Sequence, residues 1–184
     1  PSGYDFNTNY DLAILKWGLK TLISLNNELE IGDRDLSVWV NYQDKLIDYP
    51  QNETGFKLSQ NMNFEKSHRH YSHLMMIYPF YLVNGDDQSN HDIIDRSMRH
   101  WSSKRTAFQG YSLSGLASMD AMMGRGDAAL DSLQELHSNY IKNNTLYKES
   151  GHVIETPLSM MTSLNELVLQ HYDGVTRVFP AVPT

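Results

Sequence analysis

Leu12, Leu15, Leu19, Leu22 and Ile23 recur at the three- and four-residue spacing of one helical face and predict a helix over about Asn9 to Asn27. A turn through Glu30–Gly32 leads to a second helical segment, about Asp33 to Ile47, with Leu36, Trp39 and Val40 apolar. The stretch "DYPQNETGFKLSQNMNFEKS" has no period and is rich in Asn, Gln and Gly. It predicts a long loop with a short hairpin around Phe56–Phe64, and loops of this length inside compact domains commonly carry function. Helical spacing returns in a third helix, about Ser72 to Val83, and a fourth that starts at a cap on Asn90 or Asp92 and ends near Lys104. A fifth covers about Tyr111 to Met123 and a sixth about Asp127 to Asn143. The seventh begins at Thr156-Pro157, a capping hydroxyl followed by a proline whose missing N–H costs nothing at the first helical position. Its stripe of Leu158, Met161, Leu164, Val168 and Leu169 runs to about Tyr172, where Asp173-Gly174 stops it. The closing "VTRVFPAVPT" reads as a short β-branched strand ending at prolines.

About seven helices joined by short turns make helical hairpins, and hairpins pack as a bundle, a solenoid or an α/α-barrel. No repeat of fixed length recurs, which disfavours a regular solenoid. The expectation is an all-α fold with one long loop and a short strand at the C-terminus, forming one helical domain over residues 1–184. The opening "PSGYDF" carries no initiator methionine and no signal-peptide pattern, and both ends read as cut from something longer. The chain is therefore expected to be a fragment.

Composition narrows the partners. With 40% hydrophobic and 20% charged residues the chain reads as an ordinary globular protein, and its net charge of −7 with no Lys/Arg run argues against nucleic acid. It has no apolar stretch near the roughly 20 residues that a membrane span needs. The absence of cysteine excludes disulfides, thiolate catalysis and Cys-ligated zinc.

The segment "SHRHYSHLMMIYP", residues 67–79, places three histidines within six positions. Three readings stay open. As a metal site, His68, His70 and His73 would have to converge, with Glu65 the only nearby acid and Arg69 repelling a cation. As a structural feature, they would be hydrogen-bonded side chains where a loop enters a helix. The favoured reading is a ligand-facing wall, in which imidazole and guanidinium donate to a polyol and Tyr71 and Tyr78 offer flat faces. No metal or other cofactor is expected. Glu155 in "GHVIETPLSMM", next to Gly151 and His152, stands just ahead of a helix start, where the dipole favours the charged form. That suits a base better than a proton donor. The plainer alternative is a helix-start acid, and Glu149, Glu65 and Glu53 are weaker candidates.

Three other features carry less. Arg125-Gly126-Asp127 spells an adhesion triplet but falls where one helix turns into the next, with Gly as cap and Asp as the following N-cap. Asn52-Glu53-Thr54 and Asn143-Asn144-Thr145 match the N-glycosylation pattern, which matters only in a eukaryotic secreted protein. The nine methionines, among them Met75–Met76 and Met122–Met123, sit mostly at core spacing.

Taken together, the motifs resemble glycoside hydrolase family 95, the inverting α-L-fucosidases and α-L-galactosidases. "HRHYSHLMMIYP" is similar to that family's His-Arg-His-x-Ser-His-Leu-x-x-x-Tyr-Pro signature. "QGYSLSGLASMDAMMGRGDAALDSLQEL" resembles the helical hairpin after it, and "VIETPLSMMTSLNELVLQHYDGVTRVFPAVP" the segment leading out of the barrel. "GYDFNTNYDLAILKW" sits where the family has a barrel helix just after its general acid. The resemblance implies part of an (α/α)6 barrel, roughly its second half, in contact with a missing N-terminal half and followed by a β-domain. It implies an oligosaccharide or glycan substrate, with His68, Arg69, His70 and His73 around the sugar. Glu155 stands in place of the catalytic aspartate of an Asp-Gly-Asn-Phe-Gly stretch, a methylene longer and in a different turn. The family's acid lies upstream, so the fragment alone is expected to be inactive. A secreted or periplasmic location is implied as well. The rival is a non-catalytic helical scaffold, for carbohydrate or for protein binding, of which "MMGRGDAALDSLQEL" resembles a tetratricopeptide turn; a repeat every ~34 residues would mark it.

Overall fold

The computed structural model describes residues 5–144, 146–149 and 153–184. Gly3 and Tyr4 of the opening segment, Thr145 of the second glycosylation triplet, and Gly151 and His152 beside Glu155 lie outside the described residues. Six α-helices dominate: α1 (Asn9–Glu28), α2 (Leu36–Lys45), α3 (His91–Ser102), α4 (Gly110–Met122), α5 (Gly126–Tyr140) and α6 (Glu155–Val168). Two short antiparallel hairpins complete it, β1 (Gln51–Asn52) with β2 (Gly55–Phe56), and β3 (Leu169–Tyr172) with β4 (Val175–Val178). The chain is a helix-rich assembly of hairpins, as part of a helical barrel should be.

Helix α1 starts where the Thr8 hydroxyl accepts from the Asp11 N–H at 3.0 Å, and the chain leaves it through Glu30 and Gly32, both at positive φ. Helix α4 is the centre: of its thirteen residues only Tyr111 is not buried. That burial follows from composition, since small Ser, Gly and Ala alternate with Leu and Met and let α5 and α6 approach closely. Across the α4–α6 seam Ser114 meets Ser159 at 2.6 Å and Ser118 meets Ser163 at 2.9 Å. Two cores result, one built on Leu74, Ile77, Trp101, Leu113 and Met119, the other on Ala117, Ala121, Leu133 and Leu167.

The outer helices are different. Helix α2 has no buried residue, α1 exposes Leu15, Trp17 and Leu22, and α6 exposes Leu158 and Met161.

Several expected boundaries move. There are six α-helices among the described residues rather than about seven, because residues 72–83 do not form a regular helix. A 3-10 turn over Ser72–Leu74 gives way to irregular turns, with Ile77 and Tyr78 both bonded to the Leu74 carbonyl. Leu74, Met76, Ile77 and Tyr78 are all buried, so the run has no polar face, and Pro79 cannot donate a helical hydrogen bond. The last helix ends at Val168 instead of near Tyr172, and one closing strand becomes two. Gln170 and Tyr172 alternate inward while Leu169 and His171 face out, and Asp173 and Gly174, both at positive φ, close the two-residue turn. Helix α6 begins at Glu155, so Thr156 is a buried residue of the first turn and not the cap. Asp127 likewise lies inside α5, where its carboxylate accepts from Thr184, and Gly124 at φ +71° makes the turn after α4. The early hairpin falls at 51–56, not 56–64, and Asn52 of the first glycosylation triplet closes its turn by accepting from Thr54.

The long loop is held from several sides. Buried Asn9 donates to the Pro50 and Lys57 carbonyls, each at 2.8 Å; Ser97 Oγ accepts from Phe56 N–H; and His100 Nε2 lies 2.8 Å from the Phe64 carbonyl. These ties anchor the loop that leads into the histidine segment on α1 and α3.

Candidate active site

Residues 67–73 cross the start of α4 and are fastened at three points, one on the segment before α4 and two on the helix itself. The Ser67 hydroxyl donates to the Lys104 carbonyl at 2.6 Å and accepts from Ala107 N–H. Ser112 Oγ donates to the Arg69 carbonyl at 2.6 Å. The ring of Tyr71 lies directly on Gly115: a Cβ there would sit 2.1 Å from the ring, which explains a glycine inside a buried helix where it otherwise costs about 1 kcal/mol. Tyr71 in turn stacks on Tyr111, with centroids 5.4 Å apart.

With the backbone so held, the three histidines part company. His68 is exposed and His70 partly so, and their rings lie 5.4 Å apart as a ridge. His73 points inward, 3% exposed and stacked on Phe64 with centroids 4.4 Å apart. Burial, reinforced by His100 and His68, pushes its imidazole down to about 3. Among the described residues no three His, Asp or Glu side chains converge in a way that could hold a metal ion. Tyr78, read from the sequence as a flat face for a ligand, is buried instead near Tyr81 and Glu166 because the 75–81 run folds into the core.

The ridge separates two clefts. One, about 390 Å³, is walled by Tyr10, His68, His70, Tyr71, Met75 and Tyr111. The other, about 530 Å³, is lined by Leu58, Met62, Phe64 and Lys66, with His68, His70 and His73 on its near side. Tyr10 and Tyr111 carry no site signal in the sequence, and Met75 reads there as core packing. Their helical spacing marks them only as apolar, and it takes the fold to bring α1, α4 and the turn at 75 around one hollow.

Two carboxylates act on the ridge. Glu155, the first residue of α6, is exposed, and among the described residues it has no hydrogen-bond or ion-pair partner. The Glu149 side chain is only 3% exposed and is held firmly: Tyr147 donates to it at 2.6 Å, Thr156 at 3.4 Å, and Arg69 Nη1 stands 3.9 Å away. A carboxyl group buried among three donors marks a built arrangement, which the sequence reading ranked below Glu155 because Glu155 stands at a helix start. Burial, then Arg69 and His68, push the His70 imidazole below its ordinary value, while Glu149 and Glu155 pull it back. The negative charge of both acids therefore reaches His70. The arrangement offers donors and aromatic walls around a hollow of sugar size, with two carboxylates whose charge reaches His70, which suits binding a polyol.

The chain matches the model of the glycosyl hydrolase family 95 catalytic domain over residues 2–166, and it belongs to that family. No curated protein matches it.

Proposed function

We propose that this member of glycosyl hydrolase family 95 acts on terminal α-linked L-fucose or a closely related sugar by inversion. Membership makes it a glycoside hydrolase domain with a glycan substrate; the sugar and the stereochemistry are our reading. The observation that carries it is the pair of carboxylates, Glu149 and Glu155, whose negative charge both bears on His70, itself a wall of the tyrosine-lined cleft. In this reading Glu155 activates the attacking water, and His68, Arg69, His70 and His73 line or support the sugar site. An inverting pair stands about 6.5–9.5 Å apart with the water between. We assign these residues the base side, with the acid supplied by further chain that completes the barrel, so the 184 residues alone should not turn over substrate. A secreted or periplasmic enzyme is the location this substrate implies.

Replacing Glu155 with Gln in the complete protein should lower turnover of nitrophenyl α-L-fucoside or α-L-galactoside by about 10²–10⁴-fold, the usual worth of a general base. Folding should be unaffected and a chelator without effect. Unchanged turnover would remove Glu155 from the mechanism. The exposed carboxylate, with no partner among the described residues and in a Thr-Pro setting, also favours a second reading, a barrel that binds sugar without cleaving it. Saturable sugar binding without release, lost on changing His70, would select that reading.

A further inference from the structure

The two histidines of the ridge meet donors that leave no choice of protonation. The His70 backbone N–H donates to His68 Nδ1 at 3.0 Å. A backbone N–H has nothing to accept with, so Nδ1 must offer its lone pair and the ring proton of neutral His68 sits on Nε2. The opposite arrangement, Nδ1–H donating to the His70 carbonyl, would use a longer 3.4 Å contact and set two hydrogens against each other. On the other side, Arg69 Nε donates to His70 Nε2 at 3.0 Å. A guanidinium only donates, so His70 carries its proton on Nδ1, and the assignment follows from donor identity rather than from any seen hydrogen.

We propose that His68 and His70 are locked as opposite neutral tautomers, and that Arg69, oriented by buried Glu149, is the positioning residue that locks His70. The ridge then offers a ligand two N–H donors, His68 Nε2–H and His70 Nδ1–H, and no imidazole acceptor. A sugar hydroxyl can donate or accept, but at this ridge it is read only as an acceptor. Ring, glycosidic or O-methylated oxygens satisfy the ridge as well as a hydroxyl does, whereas a deoxy position does not. This use of the donors rests on the carbohydrate reading; the tautomers themselves do not.

Among the described residues, the groups whose charge bears on His70 are Arg69, His68, Glu149 and Glu155, and Tyr111 lies across its ring at 5.5 Å. Arg69 stands between Glu149 and the imidazole, so loss of the carboxylate should loosen the guanidinium and return His70 toward the Nε2–H form that a free imidazole prefers.

Long-range proton–nitrogen correlation spectra of the 184-residue chain near neutral pH report each histidine's tautomer without any ligand. The expected result is Nε2–H for His68 and Nδ1–H for His70. Arg69→Met should move His70 to Nε2–H while leaving His68 as it was, and Glu149→Gln should give a mixture. A wild-type His70 protonated on Nε2 overturns the proposal, and that spectrum needs no variant to fold. His70 unchanged in Arg69→Met would also overturn it. Titration with methyl α-L-fucoside and its mono-deoxy and mono-O-methyl forms then tests the sugar reading separately. At one position, binding kept on methylation and weakened on deoxygenation supports a donor-only ridge. Correct tautomers with no binding of any fucoside would instead count against the fucose assignment.

Discussion

Replacing His73 with phenylalanine isolates the energetic consequence of burying one imidazole of the motif. In the folded chain His73 stays neutral until about pH 3, because its ring is stacked on Phe64 in the core and has His100 and His68 nearby. In the unfolded chain it takes up a proton near pH 6.5. Between those limits the unfolded state holds one more proton than the folded state, so stability rises with pH and is lost as pH falls. Each pH unit inside the window is worth about 1.4 kcal/mol, and moving from pH 7 to pH 5 costs about 2 kcal/mol. Phenylalanine can keep the stack and cannot titrate. Asp120 and Glu166, whose carboxyls burial raises, titrate in both proteins and cancel in the comparison. Guanidinium unfolding of wild type and His73→Phe at pH 7 and pH 5 should therefore show wild type losing about 2 kcal/mol more than the variant. Parallel losses would mean that folded His73 protonates near its ordinary value, and the inward placement of this third histidine would be wrong.

Three further changes probe the frame around the site. Gly115→Ala puts a methyl into the Tyr71 ring and should cost about 1–3 kcal/mol in unfolding experiments while altering the Tyr71–Tyr111 near-ultraviolet signal; a silent substitution would refute the close approach. Ser163 is buried, and its hydroxyl bonds Ser118 Oγ and the Ser114 and Ser159 carbonyls at 2.9 Å each, so Ser163→Ala should lower stability by about 1–3 kcal/mol at the same read-out. Glu166 accepts from the Tyr81 hydroxyl at 2.6 Å, and burial raises its carboxyl. Its contribution is present below its unfolded value and is lost as pH rises through the folded one. Glu166→Gln keeps an acceptor for Tyr81 and should therefore gain on wild type as pH rises above the ordinary glutamate range; a difference independent of pH would show that burial does not raise Glu166.

Helical periodicity alone was enough to place α1, α3, α4 and α5 to within a few residues, because each carries an apolar spacing and a stop that acts locally, such as Gly32 and Gly124 at positive φ. The histidine signature was equally legible, and with it the family. Local pattern fails where both outcomes bury the same residues. The run Leu74–Tyr78 is apolar throughout, so nothing in its spacing favours helix over turns, and packing against α4 and Pro79 decided the matter. Leu169–Tyr172 extends a helical stripe as readily as it forms a strand, and pairing with Val175–Val178 settled it. The same holds within the site. Three histidines two and three positions apart look alike in sequence, yet backbone fastening at Ser67, Arg69 and Tyr71 sends His73 into the core and leaves His68 and His70 as the ridge. Glu149 became a partner of Arg69 only because α4 and α6 bring residues 80 positions apart to 3.9 Å. Sequence determines which side chains are available and which segments coil; the tertiary structure decides which of them face one another, because contacts between distant segments have no period to read.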